Sequence, residues 1–468
     1  MRWRRCSRDG EHRFLTQLPD DPPAFDVQPV LDAQTRVAPH LPLLVLMTLI
    51  MLIDGYDVFM LGKIAPAMAR DFGEPITALT LIFVLQQAGL AIGSFAVGPL
   101  SDRFGRKRVL LLCTIVFGLL TLAPIWAATL RDVAILRGVA GLFLAGVIPN
   151  AAAMLTECAP PRRRAAFVAI AFSGYTAGGA LASLVTIGLL DRYGWESAFV
   201  IGGVVPLVLA PIFALATDES LQFRIRRDPG DPRIKAALLR IDPTLDLGHV
   251  DRFALGSEAA RRAAPRQGDA TAVLRDGRAP MTLALWLTFF LALGLISLLG
   301  AWMATFFNVL GGVPLSRWAA FSLIGFTGGL AGTTSIGFLM DRFGRIRMLL
   351  ILFAGDALAI MLLGTLPFAS SAFIVALVVW GYCQAGGQAG INAICAQAYP
   401  TGIRASGVGW AFGMGRVGGI AMPALGGLMI ASGASLAQVF LVAGLIPVLI
   451  AGALVAVHRG IGTRTLGH

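Results

Sequence analysis

Charge is scarce in this sequence: 14% of its 468 residues are Asp, Glu, Lys or Arg, against 56% that are hydrophobic. With a mean hydropathy of +0.75, that balance excludes a soluble core and describes a chain built mainly of bilayer spans. Cysteine is also sparse. Cys6, Cys113, Cys158, Cys383 and Cys395 form no CxxC pair and no ligand spacing, so neither a disulfide frame nor a metal site is expected. His12, His40, His249, His458 and His468 all lie outside the apolar runs, which leaves carboxylates to carry any proton traffic inside them. No GxxxxGK[ST] loop occurs, so ATP is not expected as a cofactor. No His, Cys or Ser cluster with catalytic spacing falls in the runs either, and the chain does not read as an enzyme. The net charge of +11 is spread over short loops rather than gathered into a patch, so nucleic acid is not an expected partner.

What the sequence does contain is membrane-length apolar windows. They begin near residues 41, 77, 109, 133, 165, 198, 281, 317, 348, 372, 405 and 435, and predict an all-α membrane protein of twelve spans. Six spans precede a long polar gap and six follow it. The expected organisation is a disordered tail over 1–40, a six-span half over 41–216, a central loop over 217–280, a second half over 281–457 and a short tail over 458–468. Most Lys and Arg fall in the two tails, the central loop and the loops after spans 2, 4, 8 and 10. The positive-inside rule therefore puts both termini and the central loop in the cytoplasm. Only Arg70, Arg131, Arg192, Arg317 and Lys63, the last taken as a span edge, fall to the other side. The DPRIKAALLRIDP stretch of the central loop predicts a short amphipathic helix lying along the cytoplasmic face.

An internal repeat divides the chain. Residues 98–112 read GPLSDRFGRKRVLLL and residues 337–351 read GFLMDRFGRIRMLLI, with ten identities in fifteen at an offset of 239. Pro160, Arg164 and Ala165 recur as Pro400, Arg404 and Ala405 at an offset of 240. Both copies lie on one side of the membrane, so the halves are parallel repeats, with cargo expected between them near mid-depth.

The first span, LPLLVLMTLIMLIDGYDVFMLG, carries Asp54 and Asp57 near its middle. A charge at the bilayer centre costs about 2.5 to 3.5 kcal/mol on insertion scales, so each acid needs a partner or a protein-lined cavity. Their spacing puts them on neighbouring turns of one helix face. Two roles fit: a structural pair with basic residues, or a site that loads and releases protons during transport. The other charges inside spans are Arg137, Asp356 and Arg416, with Glu157 at the end of span 4.

The loop residues Gly98, Asp102, Arg103, Gly105, Arg106 and Arg108, echoed by Gly337, Asp341, Arg342, Gly344 and Arg345, resemble the signature of the major facilitator superfamily. The stretches DGYD with IAPAM, VIPNAAAMLTECAP, ESLQF, LLRIDP and YPTGIRASGVGWAFGMGRVGGI are similar to one branch of it, the aromatic acid to proton symporters of benzoates, hydroxybenzoates and protocatechuate. Val58, Phe59 and Met60 depart from that branch in being bulkier than the small residues expected there. The resemblance implies a multi-pass protein of the bacterial inner membrane, working as a monomer by alternating access, with a small aromatic carboxylate and protons as partners. It also implies that Arg137 belongs to a proton-coupling network. A guanidinium can fork onto Asp54, Asp57 or Glu157.

Arg416, among the glycines of GMGRVGG, is the candidate anchor for a carboxylate, or else a structural partner of Asp356 or another acid. Asp356 itself reads as a packing or pairing residue, with a coupling role as the alternative. Tyr56, Trp302, Phe306, Phe307, Trp410 and Phe412 are candidates to stack on an aromatic ring, and Asn308 accompanies them. Gln384 and Gln388, with Asn392 continuing their face, could bond a ring hydroxyl. Gly98, Asp102, Arg103, Gly105, Arg106, Asp341, Arg342 and Arg404 are the candidate gate, with arginines pairing across the halves. Competing readings are a carrier of another organic acid, a drug exporter, a membrane receptor for aromatic acids and a membrane-embedded enzyme.

Overall fold

In hydrocarbon every backbone N–H and C=O must be satisfied within its own segment, so long apolar runs become helices. The computed structural model describes residues 15–16, 24–33, 40–241, 244–248, 250–255, 273–275, 277–400 and 403–465. Twelve helices in it are long and apolar enough to cross a membrane. Spans 1 to 6 are Leu41–Asp71, Ile76–Phe104, Arg106–Trp126, Leu130–Cys158, Ala166–Tyr193 and Glu196–Ala216. Spans 7 to 12 are Ala279–Leu310, Leu315–Phe343, Arg345–Leu363, Ser371–Ala398, Ser406–Ala431 and Leu436–Arg459. Each begins within three residues of its expected start.

Local chemistry sets the breaks between them. Gly105, at φ +102°, turns the chain between spans 2 and 3, and Gly344, at φ +90°, does the same between spans 8 and 9. Only glycine takes such backbone readily. Thr129 and Asp132 close a reciprocal capping box at the start of span 4. That span is broken near Ala145 and Gly146 into Leu130–Leu144 and Val147–Cys158.

The packing repeats with the sequence. In the first half span 1 packs on 5, 2 on 4 and 3 on 6; in the second, 7 packs on 11, 8 on 10 and 9 on 12. Between the halves span 5 meets 8 and span 2 meets 11, a pair of contacts that the repeat exchanges, while span 1 meets 7. These contacts gather away from the basic loops. Gln87 donates to Ser297 at 2.5 Å and Ser183 bonds Ser322 at 2.8 Å, in each case joining the halves. A Cβ on Gly62 would overlap the carbonyl oxygen of Gly300, and one on Gly427 would overlap Thr80. Near the basic loops, by contrast, a Cβ on Gly98 or Gly337 would meet nothing within 4 Å. The halves are closed against each other at the end remote from those loops.

Two expectations are corrected outside the spans. Within the N-terminal tail, Ala24–Asp26 is a strand, antiparallel to Leu15–Thr16 and parallel to Phe253–Ala254, and Gln28–Asp32 is a helical turn. The helix Pro232–Ile241 of the central loop does not spend its apolar face on a membrane surface. Its Ile234 and Leu238, four residues apart, share a buried cluster with Phe25, Val27, Val30, Leu31 and Phe253. The tail supplies the apolar partner that the helix otherwise lacks, and mutual burial removes both faces from water. Residues 1–14, 17–23 and 34–39 of the tail lie outside the described set.

Candidate functional site

Close helix approach places the acidic pair. A Cβ on Gly55 would overlap the carbonyl oxygen of Tyr175, and one on Gly178 would overlap that of Leu52, so spans 1 and 5 touch backbone to backbone. Asp57 then points into the first half, where Arg137 of span 4 meets it as a fork. Arg137 Nη1 donates to Asp57 Oδ1 at 2.9 Å, and Nη2 donates to Oδ2. The hydroxyl of Thr121 on span 3 donates to Asp57 Oδ1 at 3.3 Å and accepts from Nη1 at 3.3 Å. Both charged side chains are fully buried, with Phe199 of span 6 under the guanidinium at 5.9 Å. Three spans are thereby tied at one carboxylate.

Asp54 is treated differently. It is 3% exposed, makes no hydrogen bond or ion pair among the described residues, and lines a small recess with Ile50, Thr114, Phe117, Leu144 and Pro206. Its electrostatic neighbours are Asp57 and, from the second half, Arg416. The two acids of one helix face therefore differ in kind. Tyr56 does not join them, because a helix turns about 100° per residue. Its hydroxyl donates to Ala198 O at 2.8 Å, inside the contact between spans 1 and 6.

In the second half, Arg416 of span 11 is half-buried and interacts electrostatically with both Asp54 and Tyr175. Span 7 runs close beside it, since a Cβ on Gly418 would overlap the carbonyl oxygen of Phe290. On span 10, Trp380, Gln384 and Gln388 share one face. Trp380 Nε1, Gln384 Nε2 and Gln388 Oε1 are buried without a hydrogen-bond partner, although Gln388 Nε2 donates to Asn392 Oδ1 at 3.0 Å. Buried polar atoms in native proteins are rarely left unpaired, so this face is suited to a polar ligand. Trp410 of span 11 is a half-exposed ring 5.8 Å from Trp286 of span 7, whose Nε1 is likewise unpaired.

Other candidates lie elsewhere. Trp302 is fully buried, donates its indole N–H to Pro423 O at 2.8 Å and stacks on Phe306 at 6.1 Å. Both rings are enclosed by protein rather than facing a cavity: Phe306 packs on Phe440 of span 12 at 6.3 Å, and Trp302 meets Phe83 of span 2, in the other half, at 5.1 Å. Asp356 is fully buried, with neither oxygen hydrogen-bonded, so it pairs with neither Arg416 nor any other described cation.

Glu157 is part of a separate knot near the basic loops. It accepts from Arg106 at 2.7 Å and from the Ser220 hydroxyl, far from the fork at Arg137. The Lys107 amide donates to Glu219 at 3.0 Å, and Lys107 Nζ donates to Ala214 O and Thr217 O at 2.7 and 2.6 Å. Gly105 makes room, since a Cβ there would overlap Glu219. The expected pairing of arginines across the halves is absent among the described residues. Asp102, Arg103, Asp341, Arg342 and Arg404 are exposed and make no ion pair, and Arg345 donates to Gln397 of its own half.

One charged residue escaped the sequence reading. Lys63, counted there at a span edge, is 7% exposed within the helix Leu41–Asp71. Its ammonium donates to Phe59 O at 3.4 Å and stands 5.8 Å from the Phe59 ring and 5.4 Å from the Phe326 ring, with no carboxylate partner among the described residues. The apolar run Ile64 to Ala69 beyond it was the available signal.

A closed bundle of two exchanged six-helix halves, with ionisable residues buried in the middle, is the architecture of a secondary transporter. The Major Facilitator Superfamily profile matches residues 47–355 and 319–462, and the chain belongs to that superfamily. It is 34% identical over 431 residues to the gallate transporter of Pseudomonas putida, covering 92% of this chain and 94% of the relative. It is 30% identical over 416 residues to a 4-hydroxybenzoate transporter of Pseudomonas aeruginosa, covering 89% and 92%. The benzoate transport protein of Acinetobacter baylyi is 28% identical over 414 residues, covering 87% of each chain. Among solved structures, the xylose transporter of E. coli in a partially occluded inward open conformation superposes with a TM-score of 0.68 at 15% identity, covering 89% of this chain and 97% of that one. These relatives and neighbours are transporters, not enzymes.

Proposed function

We propose that the protein imports an aromatic carboxylate of the benzoate or hydroxybenzoate class together with protons, by alternating access across the bacterial inner membrane. Its basic loops and both termini face the cytoplasm in this reading, so the closed end of the bundle is the outer one. The observation that carries it is the division of labour between two acids one turn apart. Asp57 is neutralised by Arg137, whereas Asp54 makes no ion pair among the described residues, has only Arg416 of the other half as a cationic neighbour, and takes up the proton in this reading. Arg416, across from Asp54, supplies the cation for the cargo's carboxylate, and the unpaired atoms of Gln384, Gln388 and Trp380 supply partners for ring substituents. Charge fits this pairing. A proton on Asp54 and an anion on Arg416 load the cavity without adding net charge to it.

One proton carried with one monoanion is electroneutral and draws about 1.36 kcal/mol per pH unit. A second proton would add about 2.3 kcal/mol per 100 mV of membrane potential. The test is uptake of radiolabelled 4-hydroxybenzoate into proteoliposomes with the outside acidified. Wild type accumulates the acid above equilibrium and Asp54→Asn equilibrates it without accumulation. Saturable binding with no accumulation by wild type would instead identify a receptor, and accumulation by Asp54→Asn would remove the proton role of Asp54.

A further inference from the structure

The geometry points to Lys63 as the cation that recognises the incoming carboxylate at the outer gate, held covered by two aromatic rings while that gate is shut. This rests on the proposed uptake of aromatic carboxylates. Lys63 lies nine residues beyond Asp54 on the same helix, which is about 13 Å further toward the closed end. Arg416 is instead twelve residues into its helix from Arg404, level with Asp54 on span 1. The two cations therefore serve different depths of one path.

The surroundings of Lys63 are unusual for a buried ammonium. It has a single long bond, to the carbonyl of Phe59 in its own helix, and otherwise faces the rings of Phe59 and Phe326. Those rings belong to opposite halves and meet edge to face at 5.2 Å, while Tyr175 meets Phe59 at 5.7 Å. Gly179 of span 5 lets Phe326 in, because a Cβ there would overlap its ring. Immediately beside Lys63, Gly62 abuts the backbone of span 7. The ammonium thus sits at the seam between the halves, where cation–π contact stands in for an anion.

Parting the halves at this end removes Phe326 from Lys63, because span 8 moves with the second half. The ammonium is then left with one ring and an open face. An aromatic carboxylate suits that vacancy twice over: its carboxylate pairs with Lys63, and its ring replaces Phe326 against Phe59 and Tyr175. Cargo in this position stabilises the parted state and not the shut one, which is the differential affinity that any ligand-driven transition requires. Closing returns Phe326 to the ammonium and frees the carboxylate to move toward Arg416.

The experiment measures the apparent KM from each face, using right-side-out and inside-out vesicles, for Lys63→Met, Lys63→Arg and Phe326→Leu. The substrate is 4-hydroxybenzoate, with its uncharged carboxamide as competitor. Lys63→Met should raise the outer-face KM at least about tenfold and the inner-face KM less than about threefold, with inhibition by the carboxamide unchanged. Lys63→Arg should restore the outer-face KM. Phe326→Leu keeps the cation but uncovers it, and should lower the outer-face KM; it also serves where Lys63→Met does not fold. Equal shifts at both faces, or no shift at the outer face, would overturn the assignment. Wild-type uptake tests the proposed function separately: transport by wild type with indifferent Lys63 and Phe326 variants refutes only the role of Lys63.

Discussion

Replacing Asp57 by Asn leaves the buried guanidinium of Arg137 without its counter-ion, and the structure sets the size of the effect. Two charge-assisted bonds run from Arg137 to Asp57, and each is worth about 1.5 to 3 kcal/mol. An Asn oxygen can still accept one of them, but the positive charge stays buried. The Nε of Arg137 has no partner, and the Phe199 face at 5.9 Å is unchanged by the substitution. Breaking a buried pair from one side costs about 3 to 5 kcal/mol, mostly through the stranded charge. Asp57→Asn should therefore lose about 3 kcal/mol of stability and Asp57→Leu about 5, read from unfolding in mixed SDS micelles. Arg137→Met should cost a similar amount. The double variant Asp57→Leu with Arg137→Met should recover most of the loss, because no charge remains to be stranded and the two side chains are apolar and of comparable bulk. It should not recover gradient-driven accumulation. Additive losses in the double variant, with no coupling between the sites, would refute the reasoning that the pair acts as one unit.

Two further substitutions separate the cavity from the gate. Arg416→Ala should raise the KM for aromatic carboxylates by about 10- to 100-fold, the loss of one charge-assisted interaction, while an uncharged analogue is inhibited or transported as before; equal losses for both would make Arg416 structural. Gly105→Ala should cost about 1 to 3 kcal/mol and slow transport, because the backbone is at φ +102° and the added Cβ overlaps Glu219. Gly344→Ala should cost less in thermal unfolding, since the same strain at φ +90° comes with no neighbour within 4 Å.

What was legible in the sequence follows from what hydropathy and scarcity can carry. The spans were placed to within three residues because an apolar run in a bilayer has one structural outcome. Asp54, Asp57 and Arg137 stood out because so few charges occur in spans. Which acid takes the arginine was not legible, since it depends on the rotation of spans 1, 3 and 4 about their axes and on residues 80 apart in sequence. The same rotation sends Tyr56 to Ala198 despite its position between the two acids. Lys63 was lost for a different reason. A window of about 20 residues ends before a 31-residue helix does, so a buried lysine was read as a boundary. The small unit joining the tail to the central loop was hidden by distance: Phe25 pairs with Phe253, and no local pattern announces a parallel strand from so far along the chain.

The repeat shows where this chain departs from symmetry, and the residues assigned to proton and cargo in the proposed function lie at those departures. At offsets of 239 to 240, Asp54 corresponds to Leu293 or Gly294, and Asp57 to Ile296 or Ser297. Arg137 corresponds to Ala376 or Leu377, Lys63 to Trp302 or Met303, and Arg416 to Thr176 or Ala177. None of these charges has a charged counterpart, although the pairing of spans is the same in both halves. Scaffold and motion therefore require only what the halves share: the glycine turns at Gly105 and Gly344 and the close helix pairs. In the proposed function, ion and cargo handling draw on what they do not share. The fork at Asp57 sits wholly within the first half, and the unpaired polar face of span 10 sits wholly within the second. Of the residues assigned to proton and cargo in the proposed function, Asp54 interacts electrostatically with Arg416 across the halves, and Lys63 lies beneath Phe326 of the other half. In the proposed function these two interactions change when the halves move, which is where occupancy by proton and cargo would be converted into opening and closing.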